Sequence, residues 1–229
     1  MPRKSASVRR EEILAATVEE IESTGLRTLR VADVAARLGL SPSLVIYHFV
    51  TKEALVAAAF AHAGENDLYR ARRLAAARKP ARERLRDVVR WYMPAGSTRS
   101  WKIWIDGWSA GLFDADVKST FAALDREWKT ILAGLIVDGL ESREFLCRNA
   151  DEARGDDADE VRGDGPEGVR SDDVEDEAGA AVARAAEDCA TRILAYLDGL
   201  AVQLIFNPDS VSTTTLSHWV ETFVARELE

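Results

Sequence analysis

Apolar residues recur along this chain at intervals of three and four, with no sustained alternation and no Asn-Gly hairpin dipeptide, so the pattern predicts an all-α protein. A first helix is expected over 7–24, where Ile13, Leu14, Thr17, Val18 and Ile21 form one stripe and Gly25 supplies the left-handed residue that ends it. Val31, Val34, Ala35 and Leu38 mark a second, short helix closed by Gly39. A third follows Ser41, whose hydroxyl can cap backbone N–H groups, with Pro42 in the first turn where its missing N–H is not needed; it ends near Phe49. Thr51 caps a fourth, which carries Leu55, Val56, Ala59, Phe60 and Ala63 towards Arg78 before Pro80 interrupts it. Beyond it the spacing predicts helices over 81–93, 98–112 and 115–142.

The pattern then lapses. Residues 148–178 hold 13 Asp/Glu, four Arg, four Gly and valine as the only large apolar type, too little apolar surface to offset chain entropy, so a mobile acidic loop is expected. A calcium loop starting at Asp157 would need an oxygen ligand, Gly and Glu where the chain has Val161, Arg162 and Gly168, so no metal site is expected there. Periodicity returns in two last helices. Ala186, Ala190, Ile193, Leu197, Leu200 and Leu204 form a stripe in the first, with Tyr196 on a second stripe beside it; the last carries Leu216, Trp219, Val220, Phe223 and Val224. Such a wide apolar arc needs cover on more than one side, which predicts a homodimer with Ile193, Tyr196, Leu197, Leu200, Leu204, Trp219 and Phe223 in its interface.

Composition narrows the function. The 229 residues carry a net charge of -9, but residues 1–80 hold 13 Lys/Arg against 9 Asp/Glu and residues 81–229 hold 17 against 30: a basic head on an acidic body. No run of 18 apolar residues and no apolar leader after Met1 are present, so a cytoplasmic protein without a membrane partner is expected. Cys147 and Cys189 lack metal or disulfide-framework spacing and are expected as free core thiols. With three histidines, no Gly-rich phosphate loop, no G-x-S-x-G elbow and no H-E-x-x-H, neither catalysis nor a cofactor is expected.

A helix, a glycine turn and a second helix with a small polar N-terminus describe a helix-turn-helix, whose second helix enters the DNA major groove. The stretch VADVAARLGLSPSLVIYHFVTKEAL, residues 31–55, resembles the DNA-binding head of the TetR family of transcriptional repressors. Val34-Ala35, Gly39-Leu40-Ser41, His48-Phe49, Lys52 and Leu55 fall in register with that pattern, and Val45-Ile46 departs from its usual Leu-Tyr. The resemblance implies an N-terminal three-helix head over 1–52 and a helical ligand-binding and dimerisation domain over 53–229. It implies a double-stranded DNA operator read by Ser41, Pro42, Ser43, Leu44, Ile46 and Tyr47, with His48 and Lys52 on phosphates. Arg30 stands where the family caps the second helix, so Thr28 is expected to cap it and Arg30 to bind phosphate; Arg9 and Arg10 are further phosphate candidates.

Trp101, Trp104 and Trp108 recur at three and four, with Phe113, Phe121 and Trp128 near in sequence. Tryptophan at this density suggests more than core filling. The resemblance implies that the middle helices enclose an effector pocket, so these six and Asp106 are ligand-binding candidates for a small apolar or cationic molecule. The region WKIWIDGW and the later RILAYLDGLAVQ also resemble, more weakly, the BetI-like branch of the family. The expected function is a ligand-responsive regulator, a repressor released from a palindromic operator; the alternative is an architectural DNA-binding protein without a ligand.

Overall fold

In the computed structural model, residues 5–93, 99–146 and 171–229 are described, and among them there are nine α-helices, one short 3-10 turn and no strand. The helices are α1 (Ala6–Thr24), α2 (Val31–Arg37), α3 (Pro42–Phe49), α4 (Lys52–Ala75), α5 (Ala81–Tyr92), α6 (Arg99–Gly111), α7 (Ala115–Glu141), α8 (Ser171–Phe206) and α9 (Thr213–Glu227). The 3-10 turn, Leu26–Thr28, lies between α1 and α2.

Local chemistry accounts for most of these boundaries. The Ser5, Ser41 and Ser212 hydroxyls accept the N–H groups of Val8, Leu44 and Thr215 at the starts of α1, α3 and α9, and Thr51 accepts that of Ala54 in α4. Gly25 at φ 85° and Gly39 at φ 65° supply the left-handed residues that close α1 and separate α2 from α3. Two expectations need correction. Thr28 does not cap α2: its hydroxyl donates to the carbonyls of Thr24 and Gly25, holding the last turn of α1, and Arg30 at the N-cap makes no side-chain cap bond. The predicted loop 148–178 is shorter at its C-terminal end, because α8 already begins at Ser171. The sequence from there places acidic residue types at a helix's positive end and runs on into alanine-rich chain, so local propensity suffices. The rest of that loop, and Cys147, lie outside the described residues.

The chain divides into two compact units that do not follow the motif boundary at residue 52. The first comprises residues 1–70, 94–127 and 201–208. Its core joins Ile13, Ile21, Leu29, Val34, Val45, Phe49, Leu55 and Phe60 to Ile103 of α6 and Val117 of α7, with Trp104 and Phe121 packed against it. The second comprises residues 71–93, 128–200 and 209–229, and buries Leu85, Val88, Leu132, Ile136, Phe145, Ile193, Leu197 and Val220. Cys189 is buried there as a thiol in no disulfide, and its S–H donates to the Glu227 carbonyl at 3.6 Å. Glu144, beyond α7, accepts the N–H groups of Ala81 and Arg82 at 2.9 and 3.0 Å, satisfying the start of α5 that Pro80 cannot cap; these bonds hold its carboxyl below the usual carboxylate range.

Candidate nucleic-acid interface and aromatic groups

The recognition helix α3 is divided between its two faces. Val45 and Phe49 are fully enclosed in the head core, while Ser41, Pro42, Ser43, Leu44 and Tyr47 are exposed, Tyr47 at 79%. Ile46 and His48 are half-buried, and the Tyr47 and His48 rings meet edge to face at 5.5 Å. An exposed row of small and aromatic side chains on a helix anchored by two large apolar ones is what a groove-reading element requires. Ser41 also caps the helix, and its hydroxyl pairs with that of Ser43 at 3.0 Å, so both serines are partly engaged within the loop.

The basic candidates separate into two sets. Thr28, Arg30 and Lys52 line one open polar depression at the junction of α1, α2 and α4, together with Arg27, Glu20 and Asp33. Arg27 belongs to this set although the motif gave no reason to single it out; its signal is the spacing of three from Arg30. Lys52 is the first residue of α4, so its ammonium and the N–H groups of that helix end favour the same anion. Arg9 and Arg10 are differently placed. Arg9 pairs with Glu12 at 2.9 Å. The Arg10 guanidinium donates to the His48 carbonyl at 2.9 Å and lies 4.1 Å from the centre of the Phe49 ring. It therefore braces the C-terminal end of α3, a positioning contact between residues 38 apart that sequence spacing could not show.

The aromatic candidates do not form one group. In the first unit, Trp101 and Trp108 meet edge to face at 6.4 Å, and Trp104 meets Phe121 at 5.6 Å, which in turn meets Phe60 at 5.3 Å. Trp128 belongs to the second unit, where it is buried and perpendicular to Tyr92 at 4.7 Å; the Tyr92 hydroxyl donates to Asp198 at 2.6 Å. Asp198 was not singled out by the sequence, since it lies 106 positions from Tyr92. Phe113 is 91% exposed just beyond α6, so no wall encloses it and it is not part of a pocket among the described residues. Asp106 accepts the Leu26 N–H at 2.7 Å and is thereby committed to the α1–α2 corner.

The predicted dimer residues also divide. Ile193, Leu197 and Leu204 are 0%, 0% and 7% exposed, so the chain's own core uses them and they offer nothing to a partner. Tyr196 and Phe223 stack at 4.0 Å and remain half-buried, as does Leu200, and Trp219 is 42% exposed. Among the described residues no cluster of His, Cys, Asp and Glu could hold a metal ion. One stretch, Gly179–Phe206, is long and apolar enough to cross a membrane by length and composition.

Comparison with known proteins accords with this geometry. Residues 13–59 match the family described as bacterial regulatory proteins, tetR family, and residues 81–161 match the C-terminal region of BetI-type transcriptional repressors. The HTH-type transcriptional regulator BetI of Burkholderia cenocepacia (strain HI2424) is 35% identical over 115 residues, 48% of this chain and 59% of the relative. BetI of Paraburkholderia phytofirmans is 34% identical over 109 residues, 46% and 55% of the two chains. The chain thus spans a little over half the length of these curated relatives. The fold is shared with a transcriptional regulator from Saccharomonospora viridis in complex with choline, at TM-score 0.72 and 20% identity over 97% of this chain and 98% of that one. It is also shared with FadR from Bacillus subtilis in complex with stearoyl-CoA, at TM-score 0.63 and 16% identity over 95% and 98%. With a matching head, a BetI-type segment beyond it and the whole described fold in common with such regulators, the chain belongs to the TetR family of transcriptional regulators.

Proposed function

We propose that the chain is a homodimeric repressor that binds a near-palindromic DNA operator through two copies of α3 and is released by a small cationic or apolar effector. The observation that carries the reading is the division of α3: Val45 and Phe49 lock it into the head, and an exposed row from Ser41 to Tyr47 is left for base edges, flanked by Arg27, Arg30 and Lys52 for phosphates. The net +4 of residues 1–80 against the acidic remainder directs DNA to the head alone. The apolar stretch of α8, of which one third is buried within the described chain, supports a second copy as its cover, with Tyr196, Leu200, Trp219 and Phe223 facing that copy.

A cation as effector is supported by the ring faces of Trp101, Trp104 and Trp108, and of Trp128 with Tyr92 beside the Asp198 carboxylate. The choline-bound relative in fold points in the same direction. The test is selection of the purified chain against random double-stranded DNA at moderate salt, repeated with Tyr47→Ala. Enrichment of a two-fold symmetric site that the variant no longer binds supports the reading, and the absence of any enriched sequence refutes it. A thermal shift with choline that Trp128→Ala removes, together with loss of operator binding in choline, supports the effector class; a shift without effect on DNA removes the effector role.

A further inference from the structure

We propose that Asp106 is the positioning residue through which the aromatic helix α6 sets the recognition helix. The proposal rests on the regulator reading above and concerns how its two activities are linked. The carboxylate of Asp106 accepts the N–H of Leu26 at 2.7 Å in a partly buried bond that joins residues 80 positions apart. Leu26 opens the 3-10 turn that leads into α2, and its N–H follows the backbone reversal at Gly25, φ 85°. Charge-assisted bonds of this length are stronger and more directional than neutral ones, so movement of α6 is transmitted to this corner instead of being absorbed in the contact.

Beyond the corner the head is one packed block. Leu29 is buried at the end of the turn, Val34 and Ala35 are buried in α2, and Val45 and Phe49 are buried in α3. Arg37 of α2 binds the buried Glu20 of α1 at 2.5 Å, tying the corner's two helices together. A tightly packed block shifts as a unit and does not deform residue by residue. On α6 itself, Asp106 lies two positions from both Trp104 and Trp108, about 200° around a helix of 3.6 residues per turn. Asp106 therefore leaves the helix on nearly the opposite side from Trp104 and Trp108. A second route from the same rings runs through Phe121 to Phe60 of α4. The experiment must separate these two routes.

Asp106→Ala removes the acceptor, whereas Asp106→Asn keeps one acceptor oxygen while exchanging the charge and the second oxygen for an NH2 group. In the full chain, amide hydrogen exchange of the Ala variant should rise about tenfold across residues 26–49, while α8 and α9 stay protected as in the parent. Affinity for the selected duplex should fall about tenfold, within the range of typical coupling between sites, and Asn should return both readouts to within about threefold. Faster exchange confined to residues 26–29 with duplex affinity unchanged would overturn the proposal and make Asp106 a local cap, the α4 route then carrying the link. Asn behaving as Ala would overturn it as well. A parent chain that selects no duplex would refute the regulator reading, and the exchange measurement, which needs no DNA, still decides this one.

Discussion

Val50 ends the recognition helix in a conformation that β-branched residues avoid. Its φ of 67° and ψ of -52°, with the Thr51 N–H bonded to the Phe49 carbonyl at 2.8 Å, form a γ-turn of the strained hand, and its side chain is 77% exposed. Backbone strain of this kind is worth about 1–3 kcal/mol and persists where neighbours over-determine it, as Phe49 and Leu55 do here from the core. Glycine would relieve it, less up to about 1 kcal/mol for the freer unfolded chain. Val50→Gly should therefore stabilise the protein by roughly 1 kcal/mol, seen as a higher urea midpoint at unchanged m; a lower midpoint would mean that the turn is unstrained. Asp67 of α4 is a second residue out of its ordinary range. Burial, and then the charge of Glu22, push its carboxyl up to about 6 from 3.8. A raised carboxyl pKa favours the fold at low pH: the contribution is complete below about 4 and is lost as pH rises through about 6. Asp67→Asn should be more stable than the parent at pH 7.5, the two converging near pH 4; a constant offset across that window would remove the titration as its cause.

At the scale of elements, helix boundaries follow local rules and helix contacts do not. Gly107 shows the difference. A Cβ there would run into the Phe121 ring of α7 and press on Phe60 of α4, so its absence lets three helices approach in the first unit. Helix propensity alone would favour alanine by up to about 1 kcal/mol, but overpacking typically costs 1–3 kcal/mol and should win. Gly107→Ala is expected to lower stability by about 1 kcal/mol or more and to alter the near-ultraviolet circular dichroism of the aromatic residues. A more stable variant with an unchanged spectrum would show that the rings move aside freely. The same distinction explains Thr28, which the motif pattern assigned to α2 and the backbone gives to α1. A hydroxyl two positions before a helix N-cap can bond forward or backward, and the 3-10 turn turns it back.

Over the whole molecule, an acidic chain meets DNA only where its positive residues are gathered, and the salt dependence of binding counts them. Each phosphate contact contributes about 0.9 to the slope of log affinity against log salt. Lys52→Ala should weaken all duplexes alike and reduce the slope by about one unit per head, or two for a symmetric site with two heads. A changed sequence preference with an unchanged slope would instead put Lys52 on a base.

The helices, the motif and the exposed face of α3 were legible in the sequence because caps, left-handed glycines and three-to-four spacing act within a few residues. The same local reasoning over-extended the loop to residue 178, since low apolar content argues against a core, not against a solvated helix. The tryptophans were legible as a group but not as two groups, because sequence proximity said nothing of the turn after which α7 carries Trp128 into the other unit. The sequence by itself thus determined an all-α chain with a helix-turn-helix head, through short-range hydrogen bonding and periodicity. Only the tertiary structure decided that Asp106 holds Leu26, that Arg10 braces α3, that Asp198 joins Tyr92 and that Ile193 and Leu197 serve the core. Each of these depends on which helix faces meet, and that is fixed by packing the whole chain.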